Sequence, residues 1–210
     1  MLKILCTNLQ VYGYEIGITN AVSIYDAAKE QSITFRSVSF AKDFERLYKW
    51  MHEPHVIPYW NLNISKQAYE QHLKTFLADS HQKLLIGEID GVPMSYWESY
   101  TVDGDIISNY YPYEKGDQGI HLLIGDPAFL GKGYIYPLLL SLLKHKFEVA
   151  DTAKVIAEPD IRNEKMIAVF KKCGFQFMKE VSLPDKTGVL LKCERTVFER
   201  RWSEWNNGTF

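Results

Sequence analysis

The chain has 210 residues, a length that suits one domain with a sizeable core. Its 24 basic and 26 acidic residues nearly balance, and no basic stripe interleaved with aromatics is present, so nucleic acid is not an expected partner. No apolar run reaches the roughly 18 residues of a membrane helix, and residues 1–15 make a poor signal peptide. Cys6, Cys173 and Cys193 form no C-x-x-C pair, which predicts free thiols, a cytoplasmic protein and no zinc site.

Residues 1–31 are interpreted as a short N-terminal extension, followed by one domain over 32–210. Hydrophobic periodicity predicts strands at 32–38, 119–125, 154–158, 175–183 and 187–193, helices at 41–53, 66–79, 131–149 and 163–174, and a hairpin at 83–100. The Asp90-Gly91 pair is typical of the hairpin turn, whereas 55–60 is too short and too aromatic to assign. The run 194–201 reads as a solvated helix face. The order β-α-α-β-β-β-α-β-α-β-β predicts an α/β (α+β) domain with an antiparallel end.

The stretch PAFLGKGY, residues 127–134, places a G-x-G turn between a predicted strand and a long apolar helix. Unpaired N–H groups at a helix N-terminus attract anions, and glycine lets the backbone approach closely. The turn could therefore hold a phosphate on Leu130, Gly131, Lys132, Gly133 and Tyr134. A plain tight turn explains the glycines equally well. The stretch is neither a Walker A motif nor G-x-G-x-x-G.

About thirty residues later, EPDIRNEKMIAVFKKCGF resembles the second signature of the GNAT superfamily of N-acetyltransferases, N-x-x-[MA]-x-x-x-[FY]-x-x-x-G-F. The family's first signature, [RQ]-x-x-G-x-[GA], matches at Gly131 and Gly133, although Ala128 replaces the Arg or Gln. The strings GDQGIHLLIGDPAFLGKGY, PMSYWESY and HVIPYWN are similar to the siderophore-biosynthesis branch, the aerobactin-type N-hydroxylysine acetyltransferases and mycobactin-type lysine acyltransferases. The resemblance covers about 32–194. It implies a GNAT fold with a mixed sheet of about seven strands flanked by helices, and acetyl-CoA or another short acyl-CoA as co-substrate.

Two residues are the candidate catalytic pair. His121 lies in the strand before the glycine turn and is the candidate general base, and Asp160 lies just past the next strand. If these strands are neighbours, Asp160 could orient His121 and stabilise its imidazolium. The resemblance supports both, because the mycobactin-type enzymes carry a His and an Asp at matching positions. The alternative is a His that alternates onto an exposed face.

The resemblance also implies contacts with the coenzyme. Backbone N–H groups of Leu122 or Leu123 would polarise the thioester carbonyl, and Asn163 would contact the pantetheine arm, although Asn163 fits a helix N-cap equally well. Phe170 stands where many family members have a Tyr near the coenzyme sulfur, so the usual proton donor to the thiolate is missing.

Candidates for an acceptor pocket are His55, Tyr59, Trp60, Trp97 and Glu98. Aromatic walls suit an alkyl chain and a carboxylate suits an amine, although core packing is an equal account of Trp97. The i, i+3 spacing of His52 and His55 does not predict a metal site, because no further cluster of ligand residues accompanies it.

The sequence thus predicts an acyl-CoA-dependent N-acyltransferase that acts on the terminal N-hydroxylated amine of a lysine- or cadaverine-like molecule in hydroxamate siderophore biosynthesis. One alternative is an aminoglycoside acetyltransferase, a branch that carries Gly-Ile-Asp where this chain has Gly-Ile-His. Another is a non-catalytic acyl-CoA binding domain. The expected partner is a small hydroxylamine or amine, with no membrane, and a homodimer is left open.

Overall fold

The structure is a computed structural model that describes residues 9–11, 22–26 and 30–208, with side chains from residue 30 onward. Nine described strands form one sheet in the order β1-β2-β3-β4-β5-β6-β7-β9-β8. The strands are β1 Leu9–Val11, β2 Val22–Asp26, β3 Gln31–Ser37, β4 Gln82–Ile89, β5 Val92–Thr101, β6 Gln118–Ile124, β7 Lys154–Ala157, β8 Gln176–Ser182 and β9 Thr187–Glu194. The α-helices are α1 Phe40–Met51, α2 Ile57–Trp60, α3 Lys66–Ala78, α4 Ile135–Glu148, α5 Glu164–Lys172 and α6 Arg195–Asn206.

The seven strands from β3 to β9, flanked by helices, confirm the predicted mixed sheet. The strands β1 and β2 pair antiparallel with each other and add to the edge at β3. The division between an extension over 1–31 and a domain over 32–210 stays a prediction. Cys6 lies outside the described residues, while Cys173 and Cys193 are free and buried. Within the described part of the chain, no helix combines the length and apolarity needed to cross a bilayer.

Alternation along β5 divides its side chains between the two faces of the sheet. Trp97 is fully buried in the core that contains α4 and α5, where its ring meets Phe35 edge-on at 5.3 Å. Tyr96 belongs to the core beneath α1 and α3. Because side chains alternate along a strand, Glu98 shares the face of Tyr96, opposite to Trp97.

Two segments that the sequence left undefined take helical form. The unassigned run 55–60 contains the one-turn helix α2, and Asn61 ends it with a φ of 52°. The charged run 194–201 lies mostly within α6, as interpreted. That helix is not purely solvated, because Phe198 is buried against the core and Arg195 bonds backbone carbonyls near the end of α4.

Candidate active site

Three adjacent strands place three ionisable side chains in a row. The antiparallel register of β5 and β6 pairs Glu98 with His121. The parallel register of β6 and β7 pairs Gly119 with Ile156, and the same offset continued two residues along brings His121 beside Glu158. We refer to Glu98, His121 and Glu158 as the carboxylate–histidine row.

The imidazole of His121 is held by a carboxylate on each side. Its Nδ1 lies 2.8 Å from Glu98 Oε2, and its Nε2 contacts Glu158 Oε1 closely. Two buried tyrosines complete the row: Tyr96 donates its hydroxyl to Glu98 Oε1 at 2.9 Å, and Tyr100 donates to Glu158 Oε2 at 3.1 Å. Each carboxylate is therefore oriented from two sides, which fixes the position of the ring between them.

The row shifts the ionisation of its members. Burial lowers the pKa of His121, but the charges and hydrogen bonds of Glu158 and Glu98 raise it by more, so the net pKa is well above the ordinary histidine value. Burial raises the pKa of Glu158, but the imidazolium of His121 lowers it by more, so the net pKa of Glu158 is below its usual range. An imidazolium that donates from both nitrogens therefore fits this arrangement at neutral pH.

The role given to Asp160 is corrected by the structure. Its carboxylate binds Arg162, whose Nε lies 2.9 Å from Oδ1 and whose Nη2 lies 2.6 Å from Oδ2. This pairing, opposed by burial, lowers the pKa of Asp160. Glu158 and Glu98 take the positions beside His121 instead, because β7 ends at Ala157 and Asp160 lies three residues past the end of the strand. The sequence offered one signal for Glu158, a carboxylate at the end of the predicted strand 154–158, but sheet register decided which acid meets the imidazole.

A pocket of about 260 Å³ opens in front of the carboxylate–histidine row. His121 is partly accessible there, with 31% of its side chain exposed. The lining combines aromatic and apolar side chains with several charged groups. The lining residues are Tyr59, Trp60, Leu62, His72, Phe76, Glu98, Ile120, His121, Leu122, Ala157, Glu158, Pro159, Asp160, Asn163, Met166, Phe170, Asp185 and Lys186.

Most of the expected acceptor residues line this pocket, but Trp97 does not. Tyr59, Trp60 and Glu98 are at its walls. Trp97 is a core residue, and its Nε1 donates to Ser95 Oγ at 2.8 Å, so its indole is fully packed and bonded on the opposite face of the sheet. The expectation that Trp97 contacts the acceptor is therefore wrong.

His55 also lies outside the pocket lining. Its Nε2 lies 2.8 Å from the carbonyl oxygen of Ile124, a contact that links the segment before α2 to the end of β6. Two pocket residues that sequence reasoning missed, His72 and Phe76, come from α3. Their four-residue spacing on that helix was the available signal, but it is equally typical of core packing.

The coenzyme side of the predicted site divides between the pocket and a separate loop. Leu122, Asn163 and Phe170 line the pocket, while Leu123 is buried in the core beneath α1 and α3. The Oδ1 atom of Asn163 accepts from Met166 N at 3.2 Å, so the predicted cap of α5 is confirmed. The contact of Asn163 with the pantetheine arm of the coenzyme stays a prediction.

The loop is residues 130–134, called the glycine loop from here on. Gly131 and Gly133 have φ values of 71° and 75°, a conformation that glycine adopts without the steric cost borne by other residues. The long helix consequently begins at Ile135 and not at 131. A Cβ atom at either glycine would meet nothing within 4 Å. The backbone of the glycine loop therefore faces open space at the N-terminus of the helix. A pyrophosphate could approach this backbone closely.

Comparison with known proteins identifies the family to which this fold and pocket belong. Residues 39–183 match the family model described as Acetyltransferase (GNAT) domain. The chain belongs to this family, and it is an acyl-CoA-dependent N-acetyltransferase whose co-substrate is acetyl-CoA or a related acyl-CoA.

Two curated relatives are similar over most of this chain. The N-hydroxyputrescine acetyltransferase of Acinetobacter baumannii is 34% identical over 176 residues, which are 82% of each chain. The N(6)-hydroxylysine O-acetyltransferase of Escherichia coli is 27% identical over 83% of this chain and 56% of its own length. These relatives support the resemblance to the siderophore-biosynthesis branch.

Two solved structures share the fold. An uncharacterized protein from Bacillus halodurans has a TM-score of 0.89 at 57% identity, covering 90% of this chain and 98% of that one. An aminoglycoside acetyltransferase, AAC(6')-Ib, in complex with coenzyme A has a TM-score of 0.72 at 26% identity, covering 80% of this chain and 98% of that one.

Proposed function

We propose that this protein transfers an acetyl or similar short acyl group from acyl-CoA to the terminal N-hydroxylated amine of a lysine- or cadaverine-like molecule, forming a hydroxamate for siderophore biosynthesis. The observation that carries the proposal is the carboxylate–histidine row, which opens on a pocket with aromatic walls. Trp60 and Tyr59 provide surfaces for an alkyl chain, and His121 lines the same pocket.

Three of the four acids that line the pocket are already engaged by other side chains, which favours a neutral acceptor group. Glu98 and Glu158 are engaged by His121 and by a tyrosine each, and Asp160 is engaged by Arg162. Acids that are already paired offer little to an ammonium group. An ordinary amine, with a pKa of about 10.4, is almost fully protonated at pH 7, whereas an N-hydroxylated amine is far less basic and arrives neutral.

In the proposed reaction, the neutral form of His121 acts as general base. The acceptor nitrogen attacks the thioester carbonyl directly, and Nε2 of His121 takes the nitrogen's proton as the new C–N bond forms. The C–S bond then breaks and the thiolate leaves. The imidazolium produced is stabilised by Glu98 and Glu158, and it or water protonates the thiolate, because Phe170 has no proton to give.

Because His121 Nε2 contacts Glu158 in the structure, the two groups titrate as a coupled pair. The raised pKa of His121 means that the reactive form becomes more abundant as pH rises. The proposal therefore implies a rate that increases with pH above neutrality.

An aminoglycoside acetyltransferase is the second candidate, and the similarity to AAC(6')-Ib favours it. Against it, the paired acids described above leave few carboxylates for a polycationic substrate. Membership of an enzyme family argues against the alternative of a non-catalytic acyl-CoA binding domain.

The test is a thiol-release assay with acetyl-CoA and succinyl-CoA as donors. The acceptors are N-hydroxylysine, N-hydroxycadaverine, N-hydroxyputrescine and N-hydroxyornithine, with lysine, cadaverine, putrescine and ornithine as their parent amines and kanamycin as the aminoglycoside. We expect turnover with a hydroxylated acceptor and at least tenfold lower kcat/KM with its parent amine. Turnover confined to kanamycin would contradict the proposal and assign the pocket to the drug.

A further inference from the structure

Lys186 enters the acceptor pocket from the turn between β8 and β9. Leu183 N donates to Lys186 O at 2.8 Å, which closes the turn, and β9 begins at the next residue. The Lys186 side chain is only 15% exposed and lines the pocket. A long cationic side chain is thus turned inward, although lysine side chains usually extend into solvent.

The Lys186 ammonium has donors available for a ligand. Its nearest carboxylate oxygen in the described part of the chain is Glu158 Oε1, at 3.8 Å, beyond hydrogen-bond distance. Glu158 is already engaged, since His121 contacts Oε1 and Tyr100 donates to Oε2. Within residues 30–208, no side chain or carbonyl accepts a hydrogen bond from Lys186 Nζ, although an ammonium carries three donors.

This position places a positive charge next to the proposed proton acceptor. Glu158 contacts His121 on one side and faces Lys186 on the other, so a nitrogen that reaches His121 Nε2 comes close to the ammonium. Lysine side chains are cationic at neutral pH. A protonated amine would meet like charge in a partly desolvated site, whereas a neutral hydroxylamine would not, and its oxygen can accept a hydrogen bond.

We propose that Lys186 determines specificity for N-hydroxylated acceptors: its ammonium donates a hydrogen bond to the hydroxylamine oxygen and disfavours protonated primary amines. The inference rests on the proposed function and deepens it, because it names the group that distinguishes a hydroxylated diamine from its parent. Asp160 and Asp185 also line the pocket. An acid would not distinguish the two substrates, because both the diamine and its N-hydroxylated form carry an ammonium at the far end that an acid attracts.

The experiment compares Lys186→Met with the unaltered protein. Methionine retains an unbranched apolar side chain and removes the charge and the donors. The substrates are N-hydroxycadaverine and cadaverine, which differ in one oxygen atom, with acetyl-CoA as donor. We expect kcat/KM for N-hydroxycadaverine to fall about 10- to 100-fold, the range for loss of one hydrogen bond to a charged group, while that for cadaverine is unchanged or rises.

Three controls separate this effect from a structural one. Lys179→Met removes an exposed lysine from the neighbouring strand β8 and should change neither value. Lys186→Arg keeps the charge and should keep the discrimination against cadaverine. Lys186→Leu is a second variant without charge or donors, which keeps the test valid if Lys186→Met does not fold. The KM for acetyl-CoA should stay within twofold in each variant.

The inference would be overturned, with the proposed function intact, if the ratio of the two kcat/KM values does not change, whether both values stay the same or both fall by the same factor. An equal fall would mean that Lys186 acts through Glu158 on the chemical step. If the unaltered protein acylates no hydroxylated diamine at all, the proposed function fails, and the role of Lys186 fails with it.

Discussion

The glycine loop lies outside the lining of the pocket that holds the carboxylate–histidine row, and the two regions are built by different means. The loop presents exposed backbone at the start of α4, with two glycines in left-handed conformation and open space before them. The row consists of side chains from three strands, each held by hydrogen bonds. Backbone amides do not titrate, whereas an imidazole between two carboxylates does. We therefore expect changes in the loop to act on acyl-CoA affinity, and changes in the row to act on the chemical step and its pH dependence.

The largest expected effect is that of His121→Ala. Loss of a general base typically lowers the rate about 10²–10⁴-fold, so kcat should fall by that factor while calorimetry finds acetyl-CoA binding within threefold of normal. The matched control is His145→Ala on α4, which removes an exposed histidine. Unchanged turnover in His121→Ala with binding intact would assign the base elsewhere and remove the proposed distinction between the two regions.

A smaller effect is expected at the glycine loop. Gly133 has a φ of 75°, and a non-glycine residue in the left-handed region costs roughly 1–2 kcal/mol. If the loop relieves this strain by leaving the conformation proposed to bind the pyrophosphate, Gly133→Ala should raise the KM for acetyl-CoA about tenfold with little change in kcat. Steady-state kinetics with varied acetyl-CoA measures both.

Gly104→Ala is the control for backbone strain, because Gly104 has a φ of 89° and equally open surroundings in a different turn. It should lower stability to a similar extent without altering the KM. An equal rise in KM in both variants would mean that the glycine loop has no special role in coenzyme binding.

The smallest expected effect is a shift in pH dependence caused by Glu98→Gln. Glu98, after Glu158, raises the pKa of His121, and the deprotonated ring is the proposed base. Removing the charge of Glu98 lowers that pKa, so the rise of kcat/KM with pH should move about one unit toward acid. The amide oxygen of glutamine can still accept from Nδ1, which preserves the orientation of the ring.

The measurement is a pH–rate profile of the unaltered protein, Glu98→Gln and Gly133→Ala between pH 7 and 11 with a saturating acyl donor, a range that includes the His121 pKa of about 10. Gly133→Ala should show the unaltered midpoint, because no titrating group changes in the loop. A midpoint that moves toward alkali in Glu98→Gln, or does not move, would contradict the assignment of His121 as the base.

The local sequence determined the features that depend on neighbours along the chain. Asn163 caps α5, Asp90 and Gly91 form the hairpin turn, and the G-x-G spacing marks the glycine loop, because caps and turns arise from residues a few positions apart. Hydrophobic periodicity likewise predicted the seven strands from β3 onward, since alternation reports which face of a strand is buried.

The tertiary structure decided which side chains meet. His121 was identifiable as a candidate, but its partners lie 23 and 37 positions away in the chain, and strand register brings them together. Glu158 lies beside the ring instead of Asp160 because β7 ends at Ala157. Trp97 lies in the core because it is on the face of the sheet that packs against α4 and α5. Register depends on packing across the whole sheet, so a shift of two residues in one strand decides between Glu158 and Asp160 and is not encoded in any short motif.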